Sequence, residues 1–385
     1  MLLPKAFYFF YFAAMAALVP FLTLYYKQIG LSGRQIGLLA GIPPLLTLVS
    51  APLWSGLADA TQRHKLLLIM AIGGSAVVVL VMSLTTMVFW LIPIVVVYAF
   101  FMAPVIPLVD SSVVAMLGDR KDEYGKQRLW GAVGWGAAAP IAGSLIDRTG
   151  LQWAFYGYAI LMFGCLVISS RLPIRQTDVG GQFWRGLRLL LVDRQWIIFL
   201  VAVLVGGLSL AINISCLFVY LDDLGADKTL MGLSLTVATI SELPVWFFSN
   251  RLLERWGTRK LLAFSLLACA VQAFAYSLIR TPWLVLPIQL LHGPAFSAMW
   301  AAGVSYASEI APEGMGATAQ GLFSSVGMGL RAALGAFVGG LLYENLGAAL
   351  MFRWGGVSAL LGLFLFVLAS RGPLKLKPKL VEPPR

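Results

Sequence analysis

Twelve apolar stretches of about 20 residues recur along this chain, each long enough to cross a hydrocarbon layer of roughly 30 Å. Lipid offers no partner to an open backbone amide or carbonyl, so runs of this kind fold as helices; barrel-type alternation is absent. The spans read as 4 to 26, 34 to 57, 66 to 87, 89 to 117, 127 to 146, 152 to 170, 196 to 220, 229 to 250, 261 to 279, 282 to 308, 317 to 343 and 349 to 370. The composition agrees, with 59% hydrophobic and 12% charged residues over 385 positions, against roughly 25% charged in a soluble domain. The first run is too long and too aromatic for a removable signal, and no small-residue cleavage site follows it, so it is expected to remain as helix 1. The three cysteines, Cys165, Cys216 and Cys269, fall inside expected helices without paired spacing and read as small apolar packing residues.

A net charge of +11 raises the question of nucleic acid. With the N-terminus in the cytoplasm, 21 of the 28 Lys and Arg lie on that side and six on the other, while Arg331 lies inside a helix. This is the positive-inside asymmetry, and it removes the need for a nucleic-acid partner. The expectation is a multi-pass inner (plasma) membrane protein, monomeric, with both termini cytoplasmic.

The chain also repeats itself at an offset of 195 residues. YYKQIGLSGRQIGLL from Tyr25 aligns with YLDDLGADKTLMGLS from Tyr220, and SGLADATQRHKLLL from Ser55 with NRLLERWGTRKLLA from Asn250. Two six-helix halves are therefore expected, residues 1–170 and 196–370. Residues 171–195 would link them along the inner membrane surface around Phe183, Trp184, Leu187 and Leu191, and 371–385 would form a cytoplasmic tail. Parallel halves of this kind place a site near the midplane, exposed alternately to each side by rocking.

The repeated acid-and-base turn resembles the major facilitator signature GxLaDrxGrkx. The first copy supplies Leu57, Ala58, Asp59, Arg63 and Lys65, with Ser55 and Gln62 in place of glycines; the second supplies Leu252, Glu254, Arg255, Gly257, Arg259 and Lys260. The fold implied is the major facilitator fold. An acid at a helix end facing bases on the next turn forms a cytoplasmic latch, so Asp59, Arg63, Lys65, Glu254, Arg255 and Arg259 are gate candidates.

Charges inside the membrane cost at least about 2.5 to 3.5 kcal/mol each and mark function by default. Asp110 follows Pro104 and Pro107, and Arg128 opens the next helix, so a pair could close beneath a central cavity; Trp135 lies seven residues beyond Arg128 on the same face. Such a fork under an aromatic plane suits a ring bearing hydroxyls or a carboxylate, although Asp110 with Arg128 also reads as a structural pair. Counted by helix rise, Arg331, His292 and Glu242 form an outward-to-inward ladder, in which exposure and pairing can load and unload a proton on Glu242. The other reading is a permanent Glu242–Arg331 pair that locks the second half. Asn213, Gln289 and Trp300 are further cavity candidates, each equally at home in a packed core.

DEYGKQRLWGAVGWG, from Asp122, with Asp110 is similar to the helix 4 to 5 region of lactose-permease-type proton symporters. APVIPLVD, YGKQRLWG, SELPVWFFSN and IQLLHGPAF are similar to the phenylpropionate-transporter-like branch, related to nucleoside–proton symporters. The resemblance implies that Asp110 and Arg128 hold solute hydroxyls and that Trp135 stacks on a ring. It departs at Gln272 and Ala295, where the lactose permease group carries an arginine and a proton-bearing glutamate. No phosphate-cradling loop, metal-spaced His/Cys set or paired nucleophile appears. The sequence thus points away from an enzyme and towards a cofactor-free secondary transporter, a proton-coupled symporter of a small sugar- or nucleoside-like solute. An aromatic carboxylate as solute, proton-driven export and a non-transporting receptor remain open.

Overall fold

A computed structural model describes residues 2–61, 63–117, 123–172, 190, 193–311 and 316–370, with the side chains of 55, 59, 316–318 and 369 left aside. The described chain is helical throughout, without a strand. We number the spans α1 (Leu2–Gln28), α2 (Gly33–Thr61), α3 (His64–Met82), α4 (Val88–Leu117), α5 (Tyr124–Thr149), α6 (Gln152–Arg171), α7 (Arg194–Asp223), α8 (Lys228–Phe247), α9 (Ser249–Tyr276), α10 (Pro282–Gln289 and Gly293–Ile310), α11 (Ala319–Leu346) and α12 (Ala348–Ser370). Eleven are long and apolar enough to span a membrane, and α10 is the twelfth when its two pieces, bent by 44°, count as one.

Two of the expected spans differ from what is observed. The basic turn at 250–260 is helical up to Gly257, whose non-helical φ of 74° and ψ of 160° suit a residue without Cβ. Gly257 separates a short helical stretch after α8 from the long helix that follows, so α9 is two helices joined at this kink. The tenth span is broken at 290–292, and a π-turn, Gly293–Ser297, follows the break. A second π-turn, Ser325–Leu330, interrupts α11 immediately before Arg331. Most of the expected linker and all of the tail lie outside the described residues.

Within the first half α1 packs on α5 and α6; within the second, α7 packs on α11 and α12. The halves meet along α2 against α11, α5 against α8, and α1 against α7. The first two seams are equivalent under the repeat and depend on bare backbone. A Cβ on Gly340 would strike the Gly33 carbonyl, and one on Gly232 the Ala139 carbonyl, so helices approach as closely as small residues allow. Cys165, Cys216 and Cys269 are buried and unbonded to one another.

Candidate functional site

In the first half, α4 breaks at Ala103 and Pro104, and its lower part carries Asp110 to α1. The Tyr8 hydroxyl donates to Asp110 Oδ1 at 2.6 Å. Arg128 does not close on Asp110. Its guanidinium lies 4.2 Å from the centre of the Phe12 ring and 5.3 Å from that of Tyr8. The expected ion pair is therefore replaced by a cation on two aromatic faces, an arrangement most favourable away from water. The cause is local: Gly131, one turn beyond Arg128, leaves space that Phe12 and the guanidinium fill. Tyr124 interacts with both Tyr8 and Asp110. Trp135 is half-buried further along α5.

In the second half, Glu242 of α8 meets His292 at the break of α10, with Oε1 and Nε2 3.6 Å apart. Its other oxygen receives Trp246 Nε1 and Ser297 Oγ, each at 3.4 Å. The His292 ring stacks on Phe296 at 5.6 Å. Arg331 makes no ion pair with Glu242, though it is within electrostatic reach of His292. It is 2% exposed, packed where Gly207 leaves room, with Nη1 3.8 Å from the Met299 sulfur and Nε without a partner among the described residues. Glu242 and His292 are thus in contact, Arg331 is within electrostatic reach of His292, and the direct Glu242–Arg331 pair of the other reading does not form. The two π-turns each rotate the residues beyond them relative to a straight helix, which changes the faces from which neighbours can be read.

Asn213 and Gln272 both reach the Tyr276 hydroxyl inside the second half. Gln289 is buried with Oε1 unpartnered, and Trp300 packs its ring 5.2 Å from Phe323. Among the expected latch residues, Arg63, Lys65, Glu254 and Arg255 are exposed and no ion pair joins them, while Arg259 donates to the Ser370 carbonyl at 2.6 Å. The Asp59 side chain lies outside those described.

The halves are instead tied at the opposite end, by groups the sequence reading did not single out. Lys27 pairs with Asp222 at 2.8 Å and Asp223 at 2.6 Å, and Lys228 with Asp222 at 3.0 Å. Asp147, at the end of α5, accepts from the Lys228 and Thr229 amides at 2.9 and 2.8 Å and from the Thr229 hydroxyl at 2.7 Å. Glu344, near the end of α11, accepts from the Arg34 amide at 2.6 Å. Each half thus caps a helix N-terminus of the other, where free amides and the helix dipole favour an anion. The capped helices also carry their own caps, Ser32 with Gln35 on α2 and Asp227 on α8. Ser32 and Asp227 are in register under the repeat.

This architecture has close relatives. The chain matches the MFS_1 like family over residues 2–354. It is 28% identical to the maltose permease of Geobacillus stearothermophilus, over 95% of this chain and 93% of that one. It is 27% identical to the probable 3-phenylpropionic acid transporter of Escherichia coli, over 88% and 90%. The fold superposes on a crystal structure of the nucleoside transporter NupG with a TM-score of 0.84 at 17% identity, covering 97% of this chain and 99% of that one. Two six-helix halves, seams of bare backbone and a family match over nearly the whole length lead to one conclusion: the chain belongs to the MFS_1 like family and is a secondary transporter of the major facilitator type.

Proposed function

We propose that the protein is a proton-coupled symporter of a small hydroxylated ring solute, a sugar or nucleoside, in the plasma membrane. The observation that carries this reading is the Glu242–His292 contact, a carboxylate against an imidazole inside the membrane at the break of a helix. An ionisable pair inside the membrane is too costly to keep without use, and both groups exchange protons. With the termini in the cytoplasm, the clasped end is the outer one, so the halves open inward in this conformation, and the exposed Arg63, Lys65, Glu254 and Arg255 lie at the inner gate with no ion pair among these four. Solute is held in the first half by Asp110 and Arg128, with Trp135 along the same helix. A carboxylate that accepts from Tyr8 also accepts from solute hydroxyls.

The maltose permease and NupG support the hydroxylated class by analogy. A second reading, an aromatic carboxylate, is favoured by the Arg128 guanidinium, which makes no ion pair among the described residues, and by the likeness to the probable 3-phenylpropionic acid transporter.

Proteoliposomes given an inward proton gradient and offered maltose, uridine or 3-phenylpropionate test both. Uptake of maltose or uridine above equilibrium is expected, and accumulation of 3-phenylpropionate alone replaces the first solute class with the second. Glu242→Gln imitates the protonated carboxyl; it is expected to leave solute exchange intact while gradient-driven accumulation is lost. An E242Q protein that still concentrates solute removes Glu242 from the coupling role.

A further inference from the structure

The break in α10 has a specific cause on α8. In an unbroken helix the Gly293 amide would donate to the Gln289 carbonyl four residues back. Here the Ser241 hydroxyl stands between them: Gly293 N donates to Ser241 Oγ at 2.9 Å, and Ser241 Oγ faces the Gln289 carbonyl at 3.2 Å. A side chain from one helix occupies a rung of another helix's ladder, one of the few ways a helix is sharply bent. Pro294, next in line, has no amide and removes the adjoining rung as well.

Backbone contact makes the insertion possible. A Cβ at position 293 would strike the Ser241 carbonyl and come within 2.9 Å of the Glu242 nitrogen, so α8 and α10 touch main chain to main chain at this point. The hydroxyl has one proton and two acceptors for it, Ala238 O in its own helix at 2.7 Å and Gln289 O across the break. Its lone pairs hold Gly293 whichever acceptor is used.

Glu242 is the next residue along α8. Through His292 on one side of Gly293 and Ser297 in the π-turn beyond, it grips the same break that Ser241 wedges. We infer that Ser241 is a positioning residue that transmits the state of Glu242 to the bend of α10, by holding open the Gly293-to-Gln289 rung. This rests on the coupling role proposed for Glu242. With Ser241 in place, the segment after the break follows the carboxylate; without the hydroxyl, the rung closes and α10 straightens independently of it.

The test needs no solute. Spin labels at Leu284→Cys and Ser308→Cys report the end-to-end distance of α10 by pulsed electron paramagnetic resonance, with native thiols that are buried. By helix rise, relaxing the bend lengthens this distance by about 2 Å. The doubly labelled protein is expected to change distance between pH 5 and pH 8.5, the E242Q form to stay at one value, the Ser241→Ala form to show the longer distance at both pH values, and Ser241→Thr to restore the pH response. A Ser241→Ala protein that responds as the parent does overturns the role of Ser241. An E242Q protein that responds as the parent does overturns the role of Glu242, and a parent without any response overturns both. In vesicles the Ser241→Ala change is expected to lower gradient-driven accumulation roughly tenfold with exchange retained; equal loss of both, unrescued by Thr, assigns Ser241 to structure alone.

Discussion

The two halves treat the membrane arginines Arg128 and Arg331 in opposite ways. Arg128 opens α5, lies on the faces of Phe12 and Tyr8, and has Asp110 nearby on a hydroxyl of its own. Arg331 is sealed among Gly207, Cys269 and Met299, with no acid paired to it among the described residues. The helices follow the same division. In the first half the charged groups sit on α-helical segments, whereas in the second Glu242 and His292 meet at a break and Arg331 follows a π-turn. An aromatic cradle around a cation is stiff and already satisfied, which suits holding a solute. A broken helix beside under-partnered groups has alternative bonds within reach, which suits moving. Under the proposed function, recognition would belong to the first half and motion to the second.

The largest expected effect that bears on this contrast is at Arg331. Methionine keeps the unbranched stem that fills the space beside Gly207 and removes the charge. Replacing buried ionic groups by apolar ones of similar shape is often stabilising by about 1–4 kcal/mol, and among the described residues Arg331 has no ion pair to lose. Arg331→Met is therefore expected to raise the unfolding temperature of the purified protein without ligand, while Arg128→Met is not. Thermal unfolding in detergent measures both. A lower unfolding temperature for Arg331→Met would mean that the arginine already has an anionic partner, and the contrast between the halves would collapse.

Tyr8 sharpens the recognition side. Its hydroxyl donates to Asp110 Oδ1 at 2.6 Å, and hydrogen bonds contribute about 0.5–1.5 kcal/mol, or about 1.5–3 kcal/mol where the acceptor is ionised. Tyr8→Phe leaves the ring under Arg128 and removes only the donor. Solute affinity is expected to fall by roughly tenfold, with the ratio of accumulation to exchange unchanged. A change in that ratio instead would place Asp110 in the coupling step and dissolve the division of labour.

Much of this was legible in the chain, for identifiable reasons. The spans follow from lipid intolerance of bare backbone, and their ends came out within a few residues wherever a helix is regular. The pseudo-symmetry follows from the register of Tyr25 with Tyr220 and of Gly37 with Gly232, because both copies must meet the other half by the same close packing. The rarity of membrane charge brought out Asp110, Arg128, Glu242, His292 and Arg331. Their partnerships were not legible. Pairing was inferred from straight helices, and Gly131, Pro294 and the two π-turns each shift a side chain by enough to change its neighbour. The inserted hydroxyl of Ser241 resembled any serine in a helix. Phe12 and Tyr8 stood in an aromatic run that reads equally as lipid-facing. The inter-half caps were hidden differently: Asp147 and Glu344 look like ordinary acids at helix ends until the other half supplies the amides.

Those caps provide the smallest effect and the one that joins the halves. Asp147 holds the first two amides of α8 while Asp227 holds the Leu230 amide, so the N-terminus of a helix in the moving half is completed by a residue of the other half. Loss of a helix cap costs about 0.5–2 kcal/mol. For Asp147 that cost falls only on the clasped conformation, since rocking the halves apart exposes the same amides to water. Asp147→Ala is therefore expected to shift the balance towards opening at the clasped end by roughly tenfold, with little change in overall stability. Phe21, buried against Phe218 across the α1–α7 seam at 5.2 Å, reports that opening. A cysteine there should react with a membrane-impermeant maleimide about ten times faster in the Asp147→Ala background. Glu344→Ala should act through α2 in the same sense, and the two together should multiply, because the caps lie on separate seams with no shared group. An unchanged labelling rate in both would show that the glycine seams alone hold this end shut and that the mutual caps are ornaments of a closure made by backbone packing.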